Sequence, residues 1–147
     1  MKRTILALLI ASIVIALDQA TKYLIVNSLG AYDSIEIFPF LHIVSVRNTG
    51  AAFGMFKGLG SNFFVMISVA AVGFLIYLIA KNAYNLFGLS LILGGSIGNL
   101  IDRLFYGKVV DFIDFSVGGF HWPSFNVADS ALTIGIIIIF LTSLLKK

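Results

Sequence analysis

The sequence predicts an all-α membrane protein with four transmembrane helices, plus a small β-sheet and a short amphipathic segment in its first outer loop. Hydrophobic residues make up 59% of the 147 residues and charged residues only 12%, about half the charged share of a soluble domain. Four apolar runs each approach the ~20 residues that a helix needs to cross ~30 Å of hydrocarbon. Because these runs take up more than half of the chain, we expect one integral membrane domain over residues 1–147.

Basic residues near the ends of the runs indicate the orientation. The predicted spans are 4–26, 62–80, 84–104 and 127–145. Four crossings place both termini on one side, and the same side collects Lys2, Arg3, Lys81, Lys146 and Lys147. The positive-inside rule makes that side cytoplasmic, so residues 28–61 and 105–125 form the outer loops.

The two outer loops differ in composition. In the first loop, "SIEIF" and "FLHIVSVRN" are rich in β-branched and aromatic residues, and glycines follow them, which predicts short strands and then an amphipathic or irregular piece. The second loop contains "GKVVDFIDFSVGGFHWP". Its Phe120, His121 and Trp122, together with Tyr106, are typical of anchors at a membrane interface.

The third predicted span contains Gly94 and Gly98 with small-xxx-small spacing. Small residues let helices approach closely in lipid, where there is no hydrophobic drive for their association. We therefore interpret these glycines as helix-packing residues, and "GGSIGN" lacks the lysine of a phosphate-binding loop.

The acidic residues all fall in the outer loops or in the outer halves of the spans, so any chemistry is expected to face outward. They are Asp18, Asp33, Glu36, Asp102, Asp111, Asp114 and Asp129. Asp18 and Lys22 have the i, i+4 spacing of a helical ion pair, and Asn99 and Asp102 share a helix face beside Arg103. A polar network that ties the helices together is the preferred interpretation of these five residues.

Asp111 and Asp129 are candidates for a catalytic pair. Asp129 has a structural alternative, because Asn, Asp and Ser are favoured at helix starts. Asn126, Asp129 and Ser130 together exceed the need for one cap, however. Two carboxylates in apolar surroundings can share one proton, so that one activates a water and the other protonates a carbonyl. The spacing of seventeen intervening residues is not specific, and other carboxylates compete.

Other classes of chemistry are disfavoured. The absence of cysteine excludes thiolate metal sites and a cysteine nucleophile. His42 and His121 lie in neither an H-E-x-x-H motif nor a carboxylate cluster, so no metal or other cofactor is expected. A serine hydrolase with Lys22 as base would need a neutral lysine, and Asp18 would keep it charged. The net charge of +3 is explained by orientation signals better than by nucleic-acid binding.

Two non-hydrolytic functions stay open on the residues alone. A transporter could use Asp18, Asp102 and Asp129 as a proton or cation relay, although no acidic residue occurs in the cytoplasmic half. A membrane scaffold without catalysis would leave "VVDFIDF" and "FNVADS" unexplained.

Five motifs in order resemble the lipoprotein signal peptidase family, also called signal peptidase II. They are "DQATK" (18–22), "VRNTGAAFG" (46–54), "GGSIGNLIDRL" (94–104), "VVDFIDF" (109–115) and "FNVADS" (125–130). The resemblance covers almost the whole chain. It implies an aspartic endopeptidase of the bacterial inner membrane that removes signal peptides from prolipoproteins, just before a cysteine that carries diacylglycerol.

The resemblance also implies roles for individual residues. Asp111 and Asp129 correspond to the catalytic pair. The residues that correspond to supporting or substrate-positioning groups are Asn48, Asn99, Asp102, Arg103, Asn126, Asp18 and Lys22. The partners implied are the lipid-modified substrate and membrane lipids, residues 49–57 are expected to lie over the site, and four spans with an internal site can work as a monomer.

Overall fold

The structure is a computed structural model that describes residues 2–31, 33–50 and 60–145. Four helices make up most of these residues, and four short strands join into one sheet. The helices are α1 (Lys2–Ser28), α2 (Gly60–Ala80), α3 (Leu86–Tyr106) and α4 (Val127–Leu144). The strands are β1 (Ser34–Phe38), β2 (Leu41–Asn48), β3 (Val109–Val117) and β4 (Phe120–His121).

Helix α3 is the centre of the bundle and packs against each of the other three helices. Its glycines allow this close approach. A Cβ built on Gly94 would lie 2.7 Å from the Cβ of Val14 in α1, and one built on Gly95 would lie 2.4 Å from the carbonyl oxygen of Ala128 in α4. A Cβ built on Gly98 would lie 2.6 Å from Asp18 Oδ2 in α1, so the predicted role of Gly94 and Gly98 in helix packing is confirmed.

The bundle has an apolar exterior and a partly polar interior, which is the arrangement expected in lipid. Outward-facing Leu9, Leu17 and Ile136 are each more than half exposed, whereas Asp18 and Asp102 are fully buried. Among the described helices, α1, α2 and α4 are long and apolar enough to cross a membrane. The crossing by α3 stays a prediction. The polar residues near its C-terminal end lower its hydropathy, and the other helices cover much of its surface.

The ends of the helices follow local sequence signals. Asn85 precedes α3 and its side chain accepts a hydrogen bond from the backbone of Gly88, as expected of an N-cap. Gly107 follows α3 with φ 68°, the left-handed conformation that ends many helices at glycine. Asn126 caps α4 and accepts from the backbone of Asp129.

The sheet is antiparallel, with the order β1-β2-β3-β4. The sequence predicts a sheet in the first outer loop only, whereas β3 and β4 lie in the second. Strand β3 is rich in Val, Ile and Phe and pairs with β2, and Gly118 and Gly119 both adopt positive φ in the two-residue turn before β4. The second loop therefore carries a hairpin signal beside the aromatic residues that are typical of interface anchors.

The sheet lies at the end of the bundle where α1 and α3 end and α4 begins. Strand β3 contacts both α1 and α3, and Phe125, just before α4, bridges to Ile113 in β3. This arrangement brings Asp111 on β3 to the start of α4. The amphipathic piece and nearly all of the segment expected over the site lie outside the described residues.

Candidate active site

Asp111 lies in the middle of the sheet and is only 2% exposed. Asn48 is near the end of the neighbouring strand β2, and its side-chain amide donates to Asp111 Oδ2 over 3.0 Å. A second amide, from Asn126, donates to Asp111 Oδ1 over 2.8 Å. Each carboxylate oxygen of Asp111 therefore accepts a hydrogen bond from an uncharged group.

Asn126 links this carboxylate to the start of α4. Its Oδ1 accepts from the backbone N–H of Asp129 over 2.9 Å. Because a backbone N–H can only donate, this bond fixes the orientation of the Asn126 amide and directs its Nδ2 toward Asp111. Since Asn126 supplies the cap, the structural alternative that Asp129 is needed as the N-cap is wrong, and the Asp129 carboxylate is free for other contacts.

Asn99 in α3 holds the carboxylate of Asp129. Its Nδ2 donates to Asp129 Oδ1 over 2.8 Å, and its Oδ1 accepts from Lys22 Nζ over 3.0 Å. Because an ammonium group can only donate hydrogen bonds, it must face the oxygen of the Asn99 amide. This contact fixes the orientation of the amide and turns its N–H side toward Asp129. Lys22 thus acts on Asp129 through Asn99 without touching it.

The ammonium of Lys22 also binds two buried carboxylates. It lies 2.7 Å from Asp18 Oδ2 and 3.0 Å from Asp102 Oδ2. Together with Asn99 these give it three acceptors, which match its three N–H bonds. The predicted ion pair between Asp18 and Lys22 is confirmed. A neutral Lys22 that serves as a base for a serine is incompatible with this arrangement.

Backbone and amide groups complete the ion-pair cluster. The N–H of Ala128 donates to Asp18 Oδ1 over 2.9 Å, and the N–H of Val110 donates to Asp102 Oδ2 over 3.1 Å. Gln19 donates to Asp102 Oδ1 over 2.9 Å and also contacts Asp18 and Gly98. Sequence reasoning did not single out Gln19, although it lies inside the "DQATK" motif between two residues that were chosen.

The electrostatic environment of Asp111 differs from that of the ion-paired carboxylates. Burial raises the pKa of Asp111 to about 7, and the negative charge of Asp129 contributes in the same direction. The hydrogen bonds from Asn48 and Asn126 lower the pKa and only partly offset this rise. Asp111 and Asp129 therefore interact as like charges, and a shared proton would relieve the repulsion.

Arg103 lies at the edge of the same network. Its guanidinium donates to the carbonyl oxygens of Asn99 and Gly50 and lies 5.7 Å from the centre of the Phe64 ring. The structure thus brings all nine predicted site residues together: side-chain contacts join eight of them, and Arg103 joins through the backbone of Asn99.

Two apolar cavities open on Asp129. One has a volume of about 630 Å³ and runs along α4, with Trp122 and Phe125 at one end. The other has a volume of about 220 Å³ and lies between α2, α3 and α4, with Asn99 and Arg103 in its wall. A carboxylate at the head of apolar grooves is suited to a ligand that is itself largely apolar.

The two histidines lie elsewhere on the sheet, and they do contact a carboxylate. Asp114 Oδ2 is 2.8 Å from His121 Nδ1 and 3.8 Å from His42 Nδ1. Asp114 reaches both histidines because pairing of β3 with β2 and β4 brings together residues distant in sequence; it is one carboxylate, not a cluster. In the described part of the chain, no group of three or more His, Cys, Asp or Glu side chains is arranged to hold a metal ion.

Comparison with known proteins decides the family. A sequence model of signal peptidase (SPase) II matches residues 10–145. The chain belongs to the signal peptidase II family. This membership makes it a membrane peptidase, so the interpretation as a scaffold without catalysis is not retained.

Curated members of the signal peptidase II family are similar over nearly the full length. The lipoprotein signal peptidase of Thermodesulfovibrio yellowstonii is 50% identical over 135 residues, which are 92% of this chain and 91% of that protein. The lipoprotein signal peptidase of Staphylococcus aureus strain JH9 is 43% identical over 142 residues, 94% of this chain and 87% of that protein.

Two solved structures share the fold of this signal peptidase II chain. Both are described as bacterial membrane enzyme structures obtained by the in meso method, one at 2.3 Å and one at 1.9 Å. Each is 45% identical in sequence, and each alignment covers 94% of this chain. The alignments cover 87% and 92% of the solved chains, with TM-scores of 0.85 and 0.82 respectively.

Proposed function

We propose that this protein is an aspartic endopeptidase that removes signal peptides from bacterial prolipoproteins. Its substrate carries diacylglycerol on the cysteine that follows the scissile bond, and Asp111 and Asp129 form the catalytic pair. Membership of the signal peptidase II family supports the class of substrate, and the names of the two curated relatives agree with it.

The different partners of four carboxylates in this network carry the proposal. Asp18 and Asp102 share the ammonium of Lys22, which engages them in contacts between helices. Asp111 and Asp129 instead receive hydrogen bonds from Asn48, Asn99 and Asn126. These amides favour the ionised form but bring no positive charge, so we propose that the two carboxyl groups gain and lose a proton during the reaction.

The mechanism needs no covalent intermediate. With one proton on the pair, the ionised carboxylate takes a proton from a water while the other carboxyl group donates its proton to the carbonyl oxygen. Asp111 is the better candidate for the protonated partner at the start, because it is nearly inaccessible and its pKa is raised to about 7. Asp129 lines both cavities and is the partner that meets water and substrate.

The position of the pair suits a substrate anchored in the membrane. We propose that α3 is the fourth span, since 21 residues extend over ~31 Å and α3 runs against three helices that are apolar enough to cross. Residues 1–147 then form one domain in the inner membrane, with both termini cytoplasmic and Asp129 at the outer boundary. The chain works as a monomer, and the groove along α4 receives the apolar substrate.

A proton or cation relay through Asp18, Asp102 and Asp129 is the weaker alternative. Lys22 forms ion pairs with the first two, and among the described residues no acidic side chain lies toward the opposite end of the bundle to continue the path. Proton flux in proteoliposomes that is abolished by Asp18→Asn would favour it.

Cleavage of a defined substrate tests the proposed function. The purified chain in lipid bilayers would receive a prolipoprotein peptide with a diacylglyceryl cysteine, and mass spectrometry would locate the cut. We expect one product that begins with the modified cysteine, and much slower cleavage of the same peptide without lipid. Equal cleavage of the unlipidated peptide, or a cut at another bond, would contradict the proposed specificity.

A further inference from the structure

A cavity of about 640 Å³ lies on the other face of the sheet from Asp111, between the ends of α1 and α3. Alternation along the strands creates this separation: Asn48 points to Asp111, whereas the neighbouring Arg47 and its cross-strand partner Val110 line the cavity. The buried ion pair of Lys22 with Asp102 forms part of the wall between the two sides.

The charges in this cavity do not cancel. Its lining contains the cations Lys22, Arg47 and Lys108, and Asp102 supplies the carboxylate. Asp102 is already paired with Lys22. Across residues 2–31, 33–50 and 60–145, no ion pair engages Arg47 or Lys108. Lys22 is shared with Asp18, so the ion-pair cluster leaves one negative charge beside the two positive charges of Arg47 and Lys108. A positive charge is therefore left over, and neither Arg47 nor Lys108 has an ion-pair partner among the described residues.

Arg47 shows the need for an acceptor most clearly. Its Nη1 is buried, and no acceptor among the described residues binds it. A buried N–H without a partner is costly and rare, and a charged one more so. A guanidinium that lacks a protein acceptor and opens on a cavity is suited to a carboxylate or phosphate ligand, which it can bind through two N–H groups.

The position of the cavity indicates the source of such an anion. Tyr23 on α1 lies 21 residues after Lys2, a distance of ~31 Å along the helix, so the cavity is one bilayer thickness from the basic N-terminal end. Tyr23 and Tyr106 on its rim are 70% and 66% exposed, as is typical of aromatic residues at headgroup level. Val26 continues the lining as an apolar surface.

We propose that this cavity binds the headgroup phosphate of an anionic phospholipid. Arg47 and Lys108 contact the phosphate, the tyrosines lie beside the glycerol region, and the acyl chains follow the apolar outer surface of α1. The volume lies in the range of sites that hold small ligands, about 300–1,000 Å³, and exceeds the needs of a bare phosphate. This inference does not depend on the proposed peptidase function.

Native mass spectrometry of the full-length, delipidated chain in detergent tests the inference, with phosphatidylglycerol as the probe. We expect Arg47→Gln and Lys108→Gln each to weaken binding about five-fold, the loss expected for removing one basic residue near a lipid headgroup. Lys81→Gln is the matched control, because Lys81 is exposed at the other end of the bundle, and it should change binding less than two-fold. Lys108 is also exposed, so its substitution tests the site even if Arg47→Gln folds poorly.

Competing probes separate a lipid from a free anion. Phosphatidylcholine, which has a phosphate but no net charge, should bind more weakly than phosphatidylglycerol, and millimolar inorganic phosphate should displace little lipid. Unchanged phosphatidylglycerol affinity in both variants would overturn the site. Displacement by phosphate at the affinity of the lipid itself would overturn the assignment of a lipid headgroup.

Discussion

At the scale of single residues, three asparagines distinguish the two proposed catalytic carboxylates from the ion-paired ones. Asn48, Asn99 and Asn126 come from a strand, a helix and a helix cap, and each donates to one of the two proposed catalytic carboxylates. Lys22 and the backbone of Asp129 fix the orientation of two of these amides. Uncharged amide donors therefore orient Asp111 and Asp129, while the ammonium of Lys22 is bound by Asp18 and Asp102.

The raised pKa of Asp111 predicts an alkaline limit to activity. The proposed reaction needs one proton on the pair, and Asp111 loses its proton as the pH rises through about 7, so turnover should fall above that pH. The hydrogen bond from Asn48 favours the ionised form and lowers the pKa. Asn48→Ala should therefore move the alkaline limb of the kcat profile to higher pH. A limb that stays in place, or that moves to lower pH, would contradict this account.

Removal of the shared ammonium is expected to be severe. Lys22→Met leaves Asp18 and Asp102 buried without a counter-charge, and breaking a buried ion pair from one side costs about 3–5 kcal/mol. We expect a large drop in the thermal unfolding temperature. The fluorescence of Trp122, the single tryptophan, can monitor this unfolding. Lys81→Met, which removes an exposed cation, should leave the unfolding temperature nearly unchanged. Equal effects of the two substitutions would show that the ion-pair cluster does not support the fold.

The sequence could predict the ion pair but not the catalytic pair from spacing alone. Asp18 and Lys22 lie on one helix, where the i, i+4 rule applies directly. Asp111 and Asp129 lie on a strand and a helix whose approach depends on how the second outer loop folds against β2. Residue patterns could not give that geometry, and resemblance to a family supplied the pairing. Gln19 was missed because its contacts to Asp102 and Gly98 cross from one helix to another.

At the scale of elements, α3 organises the site because it is in contact with every other helix. Its residues Asn99 and Asp102 reach α4 and α1 respectively. Such contacts require close approach, which the glycines at its surface allow. The sequence predicted this packing, since small-residue spacing is local. It did not predict that β3 and β4 complete the sheet, since strand pairing between two loops is non-local.

The packing of α3 predicts opposite effects for two glycine substitutions. In Gly95→Ala the new Cβ would lie 2.4 Å from the Ala128 carbonyl oxygen, so α3 and α4 must separate, at a cost of about 1–3 kcal/mol. Gly73→Ala in α2 meets nothing within 4 Å and should be neutral or stabilising by up to about 1 kcal/mol, because alanine favours the helix. Thermal unfolding of both variants checks this. Unaltered stability of Gly95→Ala would mean that the helices are not in such close contact.

At the scale of the whole molecule, the central expectation is that α3 crosses the membrane together with α1, α2 and α4. The chain contains no cysteine, so one introduced thiol reports its own side of the membrane. In spheroplasts, an impermeant maleimide should label Glu36→Cys in β1 and Val117→Cys in β3, and should label Asn82→Cys between α2 and α3 only after permeabilisation. Labelling of Asn82→Cys and Val117→Cys from the same side would show that α3 does not cross.

The proposed catalytic pair is tested most directly by cleavage assays on Asp111→Asn and Asp129→Asn. Asparagine keeps the size of each side chain and one acceptor oxygen, but it replaces the other oxygen by an NH₂ donor and removes the acid-base function. Acid-base groups contribute about 10²–10⁴-fold to rates. We expect each variant to fold, to insert in the membrane and to bind the diacylglyceryl prolipoprotein, with kcat reduced by about 10³-fold or more. Glu36→Gln, which changes an exposed carboxylate of β1, should cleave at the normal rate. Normal turnover by either aspartate variant would contradict the two-aspartate mechanism.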